Sequence, residues 1–317
     1  MAIKIVPYEP KYQEVWDLFC YSAQNATFLH SRKFINYHGD RFKDESLLFY
    51  KENKLLGLLP AAQSLTKPDQ VISHPGITYG GVIHEGGITG EVMLEVFSAL
   101  IKHYKTKGYS LFQYKAIPFI YPMKPSQDDL YALFRFRALI RRCDLSCALD
   151  LSRPKSLSNR RMRGVKKASR SIVISGDPSL LPNLYKVIQG NLDRKYGALP
   201  VHSFLELTEL TQKFPNEIQL RCAIFENKVE AGVIFFNSKN VWHAQYIAAS
   251  KVGYQLSALD AVFDASMEEA RSLGARYFDF GTSNEDQGIT LNSGLYTFKS
   301  EFGGSGVSHE FYELNLT

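Results

Sequence analysis

The residues predict a mixed α/β (α+β) fold built as two similar domains, each a mixed central sheet flanked by helices. Three observations lead there. A chain of 317 residues exceeds one typical domain. The same order of segments then occurs twice: Lys51-Glu52-Asn53-Lys54 and an apolar run through Gly57 to Leu59 are answered by Glu226-Asn227-Lys228 and a run through Gly232 to Phe236. A His-Ser pair precedes each copy, His30-Ser31 and His202-Ser203, and each copy is followed by a helical stretch that ends at glycine and enters an aromatic strand. Self-similarity at so long a period means a duplicated domain and not a solenoid.

In the first copy, alternation and turn chemistry predict a strand over 3–6, a helix over 10–20, and strands over 46–50 and 54–63 joined by a Glu52-Asn53-Lys54 turn. A strand at 71–73, a Gly80-Gly81 turn and a helix over 90–107 follow. Gly108 stands where a helix-ending glycine belongs. Strands at 111–114 and 139–151 complete this half. The second copy predicts helices over 180–196 and after Pro200, with Ser203 as N-cap, then a hairpin of 218–225 and 229–237 and a strand over 241–248. In the helix over 257–273, Leu259, Val262, Phe263, Ser266, Met267 and Ala270 recur at helical spacing, the mark of a face packed on a sheet. The strand 276–281 comes next. The polar, proline-containing stretch 152–159 reads as a linker between domains 1–151 and 160–317.

Apolar residues make up 45% of the chain and charged residues 22%, which is ordinary for a folded protein and excludes a disordered one. The first residues lack a signal-peptide core and no apolar run reaches membrane-spanning length, so cytoplasmic residence is the expectation. Cys20, Cys143, Cys147 and Cys222 are scattered without histidine-rich partners, and no metal site is expected. The net charge of +5 favours acidic partners such as phosphates or anionic lipid carriers, and a DNA partner is not expected. Its densest part is Arg160, Arg161, Arg163, Lys166, Lys167 and Arg170, which serves equally well as a solvated helix face or as a site for the phosphates of a nucleotide sugar, a lipid pyrophosphate or tRNA.

Polar residues beside strands concentrate between Val241 and Gly304. If 242–246 is a regular strand, His243, Gln245 and Ile247 share one face while Trp242, Ala244 and Tyr246 share the other. Asp279 lies inside the aromatic run Tyr277-Phe278-Asp279-Phe280-Gly281 and needs a partner, so a buried acceptor tying the strand to a loop is expected. Glu285, on the loop beyond, is freer to act.

Tyr277-Phe278-Asp279-Phe280-Gly281, Asn292-Ser293-Gly294-Leu295, Phe298-Lys299 and Phe302-Gly303-Gly304 together resemble the C-terminal domain of the FemAB-like branch of the GNAT acyltransferase superfamily. That branch includes the peptidoglycan interpeptide-bridge aminoacyltransferases, and its members carry two tandem GNAT-like domains. The resemblance spans essentially the whole chain and leaves no room for the long helical hairpin of some members. It implies acyl transfer to an amine, with an aminoacyl-tRNA ester or an acyl-CoA thioester as donor and a lipid-linked or small-molecule glycan or peptide as acceptor.

By this resemblance Lys299 matches the lysine of the family's Phe-Lys pair, as oxyanion stabiliser or phosphate ligand. Tyr246 is an expected proton donor, and Glu285 or His243 an expected acceptor for the amine proton. The donor's phosphates would lie at the helix start after the third strand, which places Gly253, Tyr254, Gln255 and Ser257 as donor contacts. That loop has one glycine, unlike the Arg/Gln-x-x-Gly-x-Gly/Ala loop of acetyl-CoA users. The bridge-forming enzymes' first-domain aspartate would fall near Tyr114-Lys115-Ala116, where there is no acid. His38, Tyr79, Arg161 and Asn292 are the expected acceptor contacts. Two other readings stand beside the enzyme: a paralogue that binds the precursor without catalysis, and a tRNA-binding or other nucleic-acid-binding module.

Overall fold

Hairpins and capped helices of the kind the residues predict recur along the chain, which a computed structural model describes over residues 2–317. In the second hairpin Glu226 and Asn227 both take positive φ, 48° and 60°, the left-handed pair that a two-residue turn between twisted strands requires. Ser203 caps the helix Phe204–Lys213 through a capping box with Glu206, and Gly108 and Gly274 follow their helices with φ of 88° and 82°.

The chain divides into two units. The first comprises Met1–Leu145, Asn284–Thr290 and Val307–Thr317, and the second Ser146–Ser283 and Leu291–Gly306. This differs from the sequence expectation at both ends. The boundary falls inside the strand Leu139–Asp150 and not in the polar stretch 152–159, which belongs to the second unit and leads to Ser158, the N-cap of the next helix. The final strand, Ser305–Asn315, pairs antiparallel with Leu111–Lys115 of the first unit through Phe311–Asn315. A segment distant in sequence supplies that strand, and local composition carries no record of it.

In the first unit Lys4–Pro7, Leu47–Lys51, Lys54–Leu59 and Ile83–His84 form an antiparallel sheet. Ala62–Gln63 and Gln70–Ile72 lead to Leu111–Lys115, with which Gln70–Ile72 runs parallel. Leu47, Phe49, Phe97, Leu100, Tyr104, Phe112 and Tyr114 pack in the core beside the helix Glu91–Thr106.

In the second unit Val173–Ser175, Ile218–Phe225, Lys228–Asn237 and Val241–Ala249 run antiparallel, Tyr277–Thr282 runs parallel to Val241–Ala249, and Ser146–Asp150 pairs with its far side. The apolar face of the helix Ala258–Ser272 covers this sheet, with Phe263 against Phe278, Phe280, Phe298 and Phe302.

Candidate active site in the second unit

Val241–Ala249 and Tyr277–Thr282 stay in parallel register for three residues, ending with His243 opposite Asp279. Beyond that pair each strand is deflected. Val241–Ala249 has a bulge, since Ile234 faces Tyr246 while Phe235 faces Ala244, and Gln245 is the extra residue. On the other strand Gly281 takes φ +76°, a conformation that a side chain strains, and a Cβ there would lie 3.5 Å from His243 Cε1. The bulge corrects the expected alternation. Trp242, Ala244, Ile247 and Ala249 all reach the core under the helix Ala258–Ser272, so Tyr246 leaves that face and shares the face of His243.

Asp279 is fully buried, as an acid in so aromatic a strand should be, but its partners lie largely on strands. His243 Nδ1 lies 2.9 Å from Oδ2, while Oδ1 accepts from the Ser146 hydroxyl and from Gly281 N–H at 2.9 Å. A carboxylate that accepts from Nδ1 sets the imidazole tautomer and leaves the basic lone pair on Nε2. Ser146 hydrogen-bonds the carboxylate and not the imidazole, so the three do not form a serine nucleophile with its base.

Lys299 joins them from a helix, Ser293–Ser300. Its ammonium, 3% exposed, donates to Gly281 O at 2.8 Å and Thr282 O at 2.6 Å. Burial pulls its pKa down to about 8, against the opposing pull of Asp279 and Cys147. Asn292 caps this helix by accepting from Leu295 N–H at 3.0 Å, so its carbonyl oxygen serves the helix and thereby Lys299.

The remaining candidates lie elsewhere. Tyr246 bonds through its hydroxyl to His202 Nδ1 at 2.7 Å and His202 N at 3.1 Å, and burial raises its pKa to about 12. Glu285 is exposed in the returning segment of the first unit. Arg161, expected on a substrate, is buried and committed to the fold: Nε donates to Glu301 at 3.0 Å, a guanidinium nitrogen meets Asp260, and the group lies 4.8 Å from the Phe298 ring centre.

His38 and Tyr79 are buried in the first unit. His38 Nε2 pairs with Gly76 O at 3.0 Å and its ring stacks on His74, while Tyr79 packs on Tyr121 with its hydroxyl 3.3 Å from Thr27. Packing, not exposure to an acceptor, accounts for both positions.

At the expected donor loop, Ser250 caps the short helix Lys251–Gln255, taking the Gly253 N–H at 3.0 Å and donating its own hydroxyl to the Glu230 carboxylate. Gly253 is held by close approach, since a Cβ would fall 2.2 Å from Glu230 O. Tyr254 is half-exposed and its hydroxyl meets Lys195 at 2.7 Å; Gln255 is exposed, and Ser257 is a left-handed residue at the start of Ala258–Ser272.

The first unit has the same parallel pair, Gln70–Ile72 on Leu111–Lys115, but its opening is stitched shut. Ser73 N–H donates to Gln113 O at 2.9 Å and Lys115 N–H to the Ser73 hydroxyl at 2.7 Å, and the buried Lys115 ammonium donates to the His74 and Ile77 carbonyls. Sequence reasoning noted the missing acid there but had no sign of this closure. Ser146 and Glu230 were likewise missed, because each gains its partner from a strand or loop far along the chain.

No family model and no curated protein matches the chain in sequence. Solved structures do match. FemX aligns over 98% of this chain and 97% of its own length with a TM-score of 0.70 at 10% identity. L-PGS from Bacillus licheniformis aligns over 96% and 91% with a TM-score of 0.61 at 13% identity. A tandem GNAT protein from the clavulanic acid biosynthesis pathway aligns over 99% of both chains with a TM-score of 0.53 at 10% identity. At these identities the likeness is one of fold, and the fold is the FemAB-like tandem GNAT fold that the sequence resemblance implied.

Proposed function

We propose that the chain is an N-acyltransferase that moves an acyl or aminoacyl group onto an amine of a cell-surface glycan or peptidoglycan precursor. The observation that carries this is the grouping of Lys299 with the His243–Asp279 pair where the two parallel strands part. In the transfer the amine nitrogen bonds to the donor's carbonyl carbon, the carbonyl oxygen gains charge, and the bond to the leaving oxygen or sulfur breaks. Lys299 has three N–H groups and places two on backbone carbonyls, which leaves the third for the oxyanion. His243 Nε2 takes the amine proton and returns it to the leaving group.

The donor favoured here is an aminoacyl ester on tRNA over acyl-CoA. Support comes from the loop after the third strand, where Ser250 uses the Gly253 N–H and the Glu230 carboxylate sits beside it, so a pyrophosphate would meet a negative charge. Thermal-shift measurements with acetyl-CoA, deacylated tRNA and UDP-linked amino sugars read which ligands stabilise the folded chain. Lys299→Ala should lower kcat by about 10²–10³-fold with the fold intact. Activity that depends on the cation should decline as pH rises through about 8. Full activity in Lys299→Ala, in an assay that the unmodified protein supports, defeats the catalytic reading.

A further inference from the structure

The basic run beginning at Arg160 acquires two distinct faces in the structure. The helix Asn159–Ala168 buries Arg161, Gly164 and Ala168 and packs on Ala258–Ser272. Its outer face holds Arg160, Arg163, Lys166 and Lys167, with Arg170 just beyond, all exposed. At 3.6 residues per turn, Arg160, Arg163 and Lys167 fall within about 60° of one another around the helix. Arg160 meets Glu301 at 3.2 Å, but Arg163, Lys166, Lys167 and Arg170 have no carboxylate in ion-pair reach among the described residues. Arg163 and Lys167 are like charges four apart within the helix, an arrangement that costs helix stability.

We propose that this face docks the protein on the surface of an anionic phospholipid bilayer. Charge complementarity is the first argument, since a rigid row of unneutralised cations is drawn to a surface rich in phosphate groups. The second is what accompanies the cations. Met162 is 49% exposed among them, Val173 beyond them is 65% exposed, and a shallow depression of about 430 Å³ lies between Asn159, Met162, Arg163 and Lys166. No aromatic residue occurs from 151 to 184. Aliphatic side chains amid cations suit the boundary of headgroups and acyl chains, and a stretch without aromatic residues offers no stacking platform for unpaired bases.

The test is sedimentation with vesicles of phosphatidylglycerol and phosphatidylcholine against vesicles of phosphatidylcholine alone, at two salt concentrations. The unmodified protein should bind the anionic vesicles and lose binding as salt rises. Each cation near such a surface is worth about fivefold in partitioning, so Arg163→Gln with Lys167→Gln should weaken binding about thirtyfold. Both side chains are exposed, and an unchanged melting temperature verifies that the variant folds. Equal binding to both vesicle types, no binding to either, or an unaltered affinity in the double variant overturns the proposal. So does a variant that loses affinity for an RNA duplex while keeping its affinity for vesicles.

Discussion

Replacing Arg161 with methionine tests the claim that this guanidinium holds the fold together and does not grip a substrate. Arg161 and Asp260 are 7% and 5% exposed, and Glu301, the third member, directly follows the helix that carries Lys299. Because both partners are shielded from water, solvent screening takes little from the interaction, and removing the cation strands a buried carboxylate. Loss of one member of such a pair costs about 3–5 kcal/mol, which for a unit of this size is a fall in melting temperature on the order of 10 °C.

Burial already raises the pKa of Asp260, with Arg161 acting in the opposite direction. In the variant burial and the Glu301 charge still raise it, opposed only by the Arg160 charge. A carboxyl whose folded pKa lies above its unfolded value contributes most at low pH, so the variant's deficit should narrow as pH falls from 8 to 5. Urea denaturation at several pH values, with Asp260→Asn alone and combined, measures the coupling. A cost below about 1 kcal/mol, as for an exposed pair, would refute the structural role and return Arg161 to the acceptor site.

Two further outcomes follow from buried groups. Burial lowers the pKa of His30 from its ordinary 6.5 to about 4, so the unfolded chain takes up the proton first. The stability held above pH 6.5 should erode as pH falls and reach a loss of about 3 kcal/mol near pH 4; denaturation curves across this range read it, and a His30→Asn variant that keeps the full slope would count against the assignment. Gly281→Ala forces a side chain into positive φ and should cost about 1–2 kcal/mol in chemical denaturation; a neutral result would mean that this bend is not required.

Much of the local structure was legible. Ser203, the Glu226-Asn227 turn, Gly108 and Gly274 act through backbone geometry within a few residues, and the structure places caps, turns and helix ends there. The apolar stripe from Leu259 to Ala270 names the face that packs on the sheet. Asp279 was legible as a buried acceptor because an acid among aromatic residues has to be hydrogen-bonded. Lys299 entered through a resemblance, and its helix was not foreseen because the eight residues from Ser293 to Ser300 show too few turns for a period to emerge.

The sequence by itself determined which segments form hairpins and capped helices, and it pointed to two similar units and to the polar residues after Val241 as the candidates for chemistry. Only the tertiary structure decided that His243 meets Asp279, that a bulge at Gln245 turns Tyr246 toward His202, that Arg161 is bound by Asp260 and Glu301, and that the last strand joins the first unit. The difference is one of range. Backbone dihedrals, caps and periodicity are set by neighbours along the chain, whereas the partner of a buried charge is set by which distant strand folding brings against it.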